Sequence, residues 1–188
     1  MAVDNQIRIL EACARRIAEN GVRGMRVQDV AKEAGVSSGL LYYHFTDRDG
    51  LLAATLRYVN DASLSRRHNL EAKNDETYAE IRRHLLAEFE DIESVKANSI
   101  VWNEIRAIAV FEPALAEHLE ASTAAWQSFV ADLVRAHRPM DEPAAQQISL
   151  LLTSLVEGLS GRWLSGQITT EQAHVALDAG IEALLPRH

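Results

Sequence analysis

Three large rings with polar tips stand side by side in the segment GLLYYHF at residues 39–45: Tyr42, Tyr43 and His44. Hydroxyl and imidazole groups can donate hydrogen bonds to phosphate oxygens, which receive many of the protein contacts made to DNA. The same rings can instead pack against a neighbouring protein domain. The segment therefore predicts either a contact with nucleic acid or a covered aromatic patch.

Helical periodicity separates the buried residues of this segment from the outward ones. On a helix with 100° per residue, Leu41 and Phe45 share one face, which we expect to dock on the preceding helices. The side left outward starts with small residues and continues with rings: Gly39, Leu40, Tyr42, Tyr43 and His44. Such a helix can enter the major groove of DNA and touch base edges with its N-terminal residues.

Turn and capping residues delimit the helices that position this segment. Asp4 is expected to cap a first helix, which Asn20-Gly21 ends. A second helix carries an apolar stripe over residues 27–34 and stops at Gly35, and Ser37 is a good N-cap for the third. The short turn with a glycine between these last two helices is typical of a helix-turn-helix.

Helical patterns continue to the end of the chain. Thr46-Asp47 is expected to end the third helix and to cap a fourth at residues 48–69. Breakers, the first of them Asn74-Asp75, separate it from five more helices, near residues 75–93, 96–110, 113–138, 142–165 and 169–185. We predict an all-α fold of about nine helices. In it, a three-helix helix-turn-helix DNA-binding domain at residues 1–47 precedes a larger helical domain for effector binding and dimerisation at residues 48–188.

The composition is that of a globular protein whose acidity is unevenly distributed. Hydrophobic residues make up 47% of the chain, and its single cysteine excludes an intramolecular disulfide. The net charge is −8, yet residues 1–48 hold seven Lys and Arg against six Asp and Glu, so this part can approach a polyanion. Because no apolar run resembles a signal peptide or a membrane span, we expect a soluble, cytoplasmic protein without membrane contact.

The segment VQDVAKEAGVSSGLLYYHFTDRDGLLAATL at residues 27–56 closely resembles the DNA-binding signature of TetR-family transcriptional regulators. The match rests on four groups of residues: Val30-Ala31, Gly35-Val36-Ser37, Leu41-Tyr42-Tyr43-His44-Phe45 and Leu51-Leu52. Residues 150–186 also resemble, more loosely, the ligand and dimer domain of the betaine-type repressors in that family.

The resemblance implies DNA contacts for ten residues. Ser37, Ser38 and Gly39 match the start of the family's recognition helix, and Leu40 and Gln28 match positions that reach base edges. Contacts with the phosphate or sugar backbone are implied for Arg26, Tyr42, Tyr43, His44 and Arg48. The chain departs from the family at Arg26, where threonine is usual, and at Ser38 and Leu40, where lysine and threonine are frequent. An operator sequence therefore cannot be carried over from a relative.

Two aromatic segments in the middle of the chain form the candidate effector site. Trp102 and Arg106 are four residues apart and share a helix face, and Trp126 and Phe129 follow on the next helix. In TetR-like proteins these helices line an effector cavity, and aromatic walls with one buried cation suit an apolar or anionic small molecule. The alternative is that the tryptophans are core residues and that Arg106 pairs with a carboxylate.

The last two helices carry more apolar residues than the core of a monomer needs. Ser154, Gly158 and Gly161 are small residues within the apolar stretch 148–164, and they permit close contact between helices. We expect a homodimer through the helices near residues 142–165 and 169–185, which is the rule in the family that the chain resembles. The alternative is a fully buried core helix.

Together these features predict a homodimeric regulator that binds double-stranded operator DNA. We expect a repressor that a small-molecule effector releases, although activation fits the same features. One rival is an all-α enzyme or small-molecule-binding protein whose N-terminal helices are structural, and another is an adaptor that docks on proteins through residues 39–45. No catalytic set, glycine-rich phosphate loop or complete metal motif supports an enzyme, so we expect no enzymatic activity, no cofactor and no metal.

Overall fold

The computed structural model describes residues 2–69 and 77–186, and these residues form helices without a strand. The nine α-helices of the described ranges are α1 (Ala2–Gly24), α2 (Val27–Ala34), α3 (Ser38–His44), α4 (Arg48–Asn69), α5 (Thr77–Leu86), α6 (Glu93–Ala109), α7 (Pro113–His137), α8 (Glu142–Leu164) and α9 (Thr170–Leu184). A 3-10 turn at Ala87–Phe89 follows α5. The predicted all-α fold is confirmed.

The chain divides into two compact units. The first unit contains Met1–Ser65 and Ala97–Ser122, and the second contains Arg66–Lys96 and Thr123–His188. The helix-turn-helix segment thus belongs to the same compact unit as most of α6 and the start of α7. The division at residue 47, which separates DNA binding from effector binding, remains a prediction about function.

Local chemistry sets the boundaries of the first four helices. Gly35 ends α2 in the left-handed region at φ +66°, where a glycine costs least. The Ser37 side chain caps α3 by accepting from the Leu40 N–H at 3.1 Å. Asp47 accepts from the Gly50 N–H at 2.7 Å at the start of α4. These three predicted boundaries are confirmed.

The first helix differs from its prediction at both ends. Asp4 does not cap α1, because the helix already begins at Ala2 and Asp4 lies in its first turn. There its carboxylate interacts favourably with the positive end of the helix dipole. The predicted break at Gly21 is present, with φ +67° and ψ 167°. One further turn follows it, however, and the Met25 N–H donates to the Gly21 carbonyl at 3.1 Å.

The helix predicted near residues 75–93 is wrong at its C-terminal end. The chain leaves helical conformation at Glu90, whose φ of −64° and ψ of 130° are extended, and α6 begins at Glu93 rather than near residue 96. Acidic side chains stabilise the N-terminus of a helix and destabilise its C-terminus. The acidic residues between Glu90 and Glu93 therefore favour the start of α6 over a continuation of the preceding helix. The predicted break at Asn74-Asp75 lies outside the described residues.

Each unit has its own hydrophobic core. In the first, Ile17 of α1, Val30 of α2 and Leu52 of α4 are fully buried. In the second, Phe89 and Leu177 belong to a separate buried cluster. Polar contacts add to this core: Arg82 of α5 donates twice to Asp178 of α9, at 2.6 Å each, which favours one register between the two helices.

The backbone at Gly21 generates a prediction about stability. Its φ and ψ lie in a region that is essentially restricted to glycine, so Gly21→Ala should lower the free energy of unfolding by roughly 1–3 kcal/mol. Gly39→Ala is the matched control, because an added Cβ would meet only the Ser37 Oγ at 3.8 Å. Urea unfolding followed by circular dichroism measures both variants. Equal stability of the two would contradict the strain assigned to Gly21.

Candidate nucleic-acid interface

The third helix is held in place by one of its seven residues and by the residue that follows it. Leu41 is fully buried and Phe45, which directly follows the helix, is 4% exposed, and both belong to the core of the first unit. A seven-residue helix is too short to be stable alone, so its orientation depends on these two anchors. The sequence prediction that they share a buried face is confirmed.

The opposite side of α3 presents its rings to solvent. The side chain of Tyr43 is 82% exposed and that of Tyr42 is 48% exposed. His44 is half-buried, with its ring centroid 5.4 Å from that of Tyr43 in an edge-on arrangement. Exposed rings of this size are uncommon on a helix that is otherwise well packed, so a partner for this face is expected.

The N-terminal end of α3 is small and open. Ser38 and Gly39 are exposed, and a Cβ added at Gly39 would lie in ordinary van der Waals contact only, so the fold itself does not require glycine there. The Ser37 hydroxyl accepts the capping bond, which leaves its own proton available to an outside acceptor. A flat surface of this kind permits another molecule to approach the backbone closely.

The second helix brings two more of the predicted residues to the surface. Arg26 directly precedes α2 and is exposed, and its side chain makes no capping hydrogen bond to the helix. Gln28 is exposed in the first turn. The second helix packs on the first through buried residues such as Val30, and exposed ion pairs add to this contact: Arg15 donates to Glu33 at 2.7 Å, and Arg16 lies 3.6 Å from the same carboxylate. These pairs neutralise acidic charge on α2.

Arg48 has a structural contact that the sequence did not predict. Its Nη2 donates to the Val22 carbonyl at 3.0 Å, and the side chain is half-buried. A guanidinium carries five N–H donors, so a phosphate contact remains compatible with this bond. Replacing Arg48 would nevertheless change the protein's stability as well as any contact with DNA.

The four candidate effector residues lie in two different units. In the first, Trp102 is partly buried, and the guanidinium carbon of Arg106 lies 5.9 Å from its ring centroid, as the spacing of four residues predicts. In the second, Trp126 is 7% exposed within the core, and Phe129 packs against that core. The ring of His84 lies 5.1 Å from Phe129, a contact that sequence spacing did not indicate. Trp126 thus has a core position, as the alternative interpretation expected.

Two further properties of the described residues concern membrane-spanning helices and metal sites. Within residues 2–69 and 77–186, no helix combines the length and the apolar composition that a bilayer crossing requires. In the same ranges, no group of three or more His, Cys, Asp or Glu side chains is placed to hold a metal ion.

Sequence comparison connects this geometry to a known family. Residues 9–55 match the family model for bacterial regulatory proteins of the tetR family, and residues 78–186 match the model for the C-terminal domain of BetI-type transcriptional repressors. The HTH-type transcriptional regulator BetI of Burkholderia thailandensis is 28% identical over 162 residues, which cover 85% of this chain and 80% of that protein. The BetI of Escherichia coli O45:K1 is 27% identical, covering 96% and 89%.

Solved structures give the same result. A crystal structure of a Rhodococcus sp. protein assigned to the TetR family superposes with a TM-score of 0.88 at 45% identity, covering 97% of this chain and 99% of that one. A regulator from Saccharomonospora viridis, solved in complex with choline, shares the fold with a TM-score of 0.80 at 22% identity, covering 94% and 95%. The chain belongs to the TetR family of transcriptional regulators, and its C-terminal domain is of the BetI type.

The exposed face of α3 generates a prediction about DNA binding. Tyr43→Ala and Tyr42→Phe should leave the melting temperature unchanged, and each should weaken binding to all duplexes by about tenfold, because one hydrogen bond to a charged acceptor is lost. Neither should change the salt dependence. Arg48→Ala should also lower the slope of log K against log salt by about 1. Fluorescence anisotropy at several salt concentrations measures these effects, and unchanged affinity in all three variants would remove the assignment.

Proposed function

We propose that this regulator represses transcription by covering operator DNA with α3 in the major groove, and that a small molecule releases it. One observation carries the DNA-binding part: Leu41 and Phe45 are buried while Tyr42 and Tyr43 of the same short helix face solvent. In a helix-turn-helix, this is the face that enters the groove. Since it acts on DNA, we place the protein in the cytoplasm.

We assign three kinds of contact to this face. Gly39 allows close approach, and Leu40 and Gln28 read base edges, the leucine through a thymine methyl and the glutamine through adenine. Contacts with the phosphate and sugar backbone come from Arg26, Ser37, Ser38, Tyr42, Tyr43, His44 and Arg48. Because backbone contacts fix the register and carry no sequence information, specificity rests on the small group that reaches bases.

A protein-interaction adaptor using the same rings is the main alternative for this surface. Two properties favour DNA. The exposed tips of Tyr42 and Tyr43 are hydrogen-bond donors, and the cation at Arg26, before α2, is exposed as well. A protein-docking patch of standard size would also be expected to bury a contiguous apolar centre, which the exposed part of α3 lacks.

A binding-site selection on random duplexes tests the function and the base-reading roles. Wild-type protein should return two half-sites whose centres are about 34–36 Å apart, one turn of the duplex. Leu40→Thr and Gln28→Ala should each change the preference at one position per half-site, by roughly 1–3 kcal/mol. Tyr43→Ala is the control, because losing a backbone contact weakens binding without changing the motif. Recovery of no enriched sequence by wild-type protein would refute the proposal.

We propose that two copies associate through α8 and α9. The exposed positions of α8 between residues 147 and 161 carry no charge, and Leu150 and Leu151 are among them. The exposed positions of α9 between residues 172 and 183 are likewise uncharged and include Val175. A Cβ added at Gly158 would meet no atom within 4 Å, so this face of α8 is open. Uncharged, partly apolar helix faces of this extent fit a symmetric helical interface.

Substitution of matched valines tests the dimer. Val175 is 65% exposed on α9, and Val110 is 75% exposed after the end of α6. Val175→Glu should raise the dimer dissociation constant by at least about 100-fold, because a symmetric interface would bury two unpaired carboxylates. Val110→Glu should leave it unchanged. Sedimentation velocity over a concentration series measures both constants, and equal effects of the two variants would contradict this interface.

We propose that the effector acts on α6 through Trp102 and Arg106. The cation of Arg106 beside the ring of Trp102 favours an apolar or anionic molecule, because an anion can pair with the guanidinium while apolar groups contact the ring. Choline, with which the Saccharomonospora viridis regulator was solved, is a cation instead. Its quaternary ammonium would compete with Arg106 for the face of the Trp102 ring. Choline is therefore the compound that most sharply separates the two ligand classes in a binding screen.

Release from DNA requires a shift between two states of the dimer. An effector lowers DNA affinity only if it binds more tightly to a state whose recognition helices no longer match successive major grooves. A 100-fold loss of affinity needs a coupling free energy of roughly 2.7 kcal/mol, which lies within the usual range for allosteric proteins. The coupling must run from α6 to the helix-turn-helix segment.

A further inference from the structure

The peptide groups on either side of Val22 are held by side chains from two other helices of the first unit. The Val22 N–H donates to the Glu104 Oε2 of α6 at 2.8 Å. The Val22 carbonyl accepts from the Arg48 Nη2 at the start of α4 at 3.0 Å. Val22 itself is fully buried in the core that also contains Leu41. One residue of α1 is thus connected to α6 and to the segment that directly follows the recognition helix.

The Glu104 carboxylate satisfies a donor that the backbone leaves without a partner. The helix breaks at Gly21, and the turn that restarts there has no earlier carbonyl for its first N–H groups. Since Val22 is inaccessible to water, its N–H needs a protein acceptor. The anionic acceptor also matches the positive end of the new turn.

Gly21 is adapted to this contact in two ways. Its positive φ of +67° allows the break, and a Cβ in its place would lie only 2.8 Å from the Glu104 Oε2. The missing side chain leaves room for the carboxylate of Glu104, which lies 82 positions beyond Val22 in the chain. The backbone conformation of Gly21 and its lack of a Cβ are thus two independent features that permit the contact between Glu104 and Val22.

Glu104 lies between the two proposed effector contacts in sequence and on the other side of their helix. It is two residues from Trp102 and two from Arg106. At 100° per residue, a separation of two places a side chain on nearly the opposite face of α6. One face of the helix therefore meets α1, while the other carries the aromatic–cation pair.

We propose that Glu104 is a positioning residue that fixes the helix-turn-helix segment to α6. A rotation or shift of α6 moves the carboxylate, the carboxylate moves the Val22 peptide group, and Arg48 passes the displacement to the junction of α3 and α4. This inference rests on the proposed function and names the contact through which DNA binding and α6 are coupled. By linkage, DNA binding must then also change the surroundings of α6.

Fluorine NMR on the full chain tests this coupling without an effector. The three tryptophans are labelled with 5-fluorotryptophan, and Trp102→Phe assigns the signal of Trp102 on α6. Addition of the duplex returned by the binding-site selection should shift the Trp102 resonance in wild-type protein. Glu104→Ala removes the acceptor, Glu104→Asp shortens its reach, and Glu104→Gln keeps an oxygen acceptor at the original length. Glu117→Ala, an exposed glutamate of α7 in the same unit, is the control.

The inference predicts that the DNA-induced shift is lost in Glu104→Ala and Glu104→Asp and retained in Glu104→Gln and Glu117→Ala. Loss of duplex binding by folded Glu104→Ala and Glu104→Asp, with rescue by Glu104→Gln, would support it equally.

A full shift in Glu104→Asp or Glu104→Ala, or bound duplex without a shift in wild-type protein, would overturn the inference and leave the proposed function intact. A lower melting temperature of Glu104→Ala with an unchanged shift would show a purely structural contact. Absence of any duplex bound by wild-type protein would instead refute the function.

Discussion

The proposed DNA-binding surface depends on the anchoring of one seven-residue helix by two apolar side chains. Leu41 and Phe45 insert into the core of the first unit, and the helix has too few backbone hydrogen bonds to keep its orientation without them. Since both anchors lie on one face, the rings of Tyr42 and Tyr43 have no place in the core. The outward face of α3 is therefore a geometric consequence of how the helix is held.

The same constraint explains why the surrounding residues have their types. Gly35 and Ser37 set the angle at which α3 leaves α2, one through a left-handed backbone and the other through a capping bond. Arg15 and Arg16 of α1 both pair with Glu33 of α2 at the surface, which adds to the apolar packing between the two helices. Local backbone chemistry thus fixes the orientation of α3, and the proposed DNA contacts of Tyr42 and Tyr43 come from side chains that lie outside the core.

The extent to which sequence alone predicted this architecture depends on the distance between interacting residues. Gly35, Ser37 and Asp47 act on neighbours within a few positions, and each boundary that they predicted is present. The contact of Glu104 with Val22 joins residues far apart in sequence, and neither residue type indicates it. The sequence likewise did not decide whether Trp126 belongs to the core of the second unit or to a pocket, because an aromatic residue at helical spacing suits both equally. Periodicity could place the outward residues of α3, but their expected contacts with DNA came only from the family resemblance.

The central claim is that α3 is the surface covered by DNA, and hydroxyl-radical footprinting read by mass spectrometry tests it directly. Tyr42 and Tyr43 report on the outward face of α3, and the exposed Phe111 reports on the segment that follows α6. Tyr43 and Phe111 are 82% and 77% exposed, so they start from similar reactivity. On addition of the selected duplex, oxidation of Tyr43 and Tyr42 should fall severalfold while that of Phe111 stays constant. Unchanged oxidation of Tyr43 in the saturated complex would contradict the account.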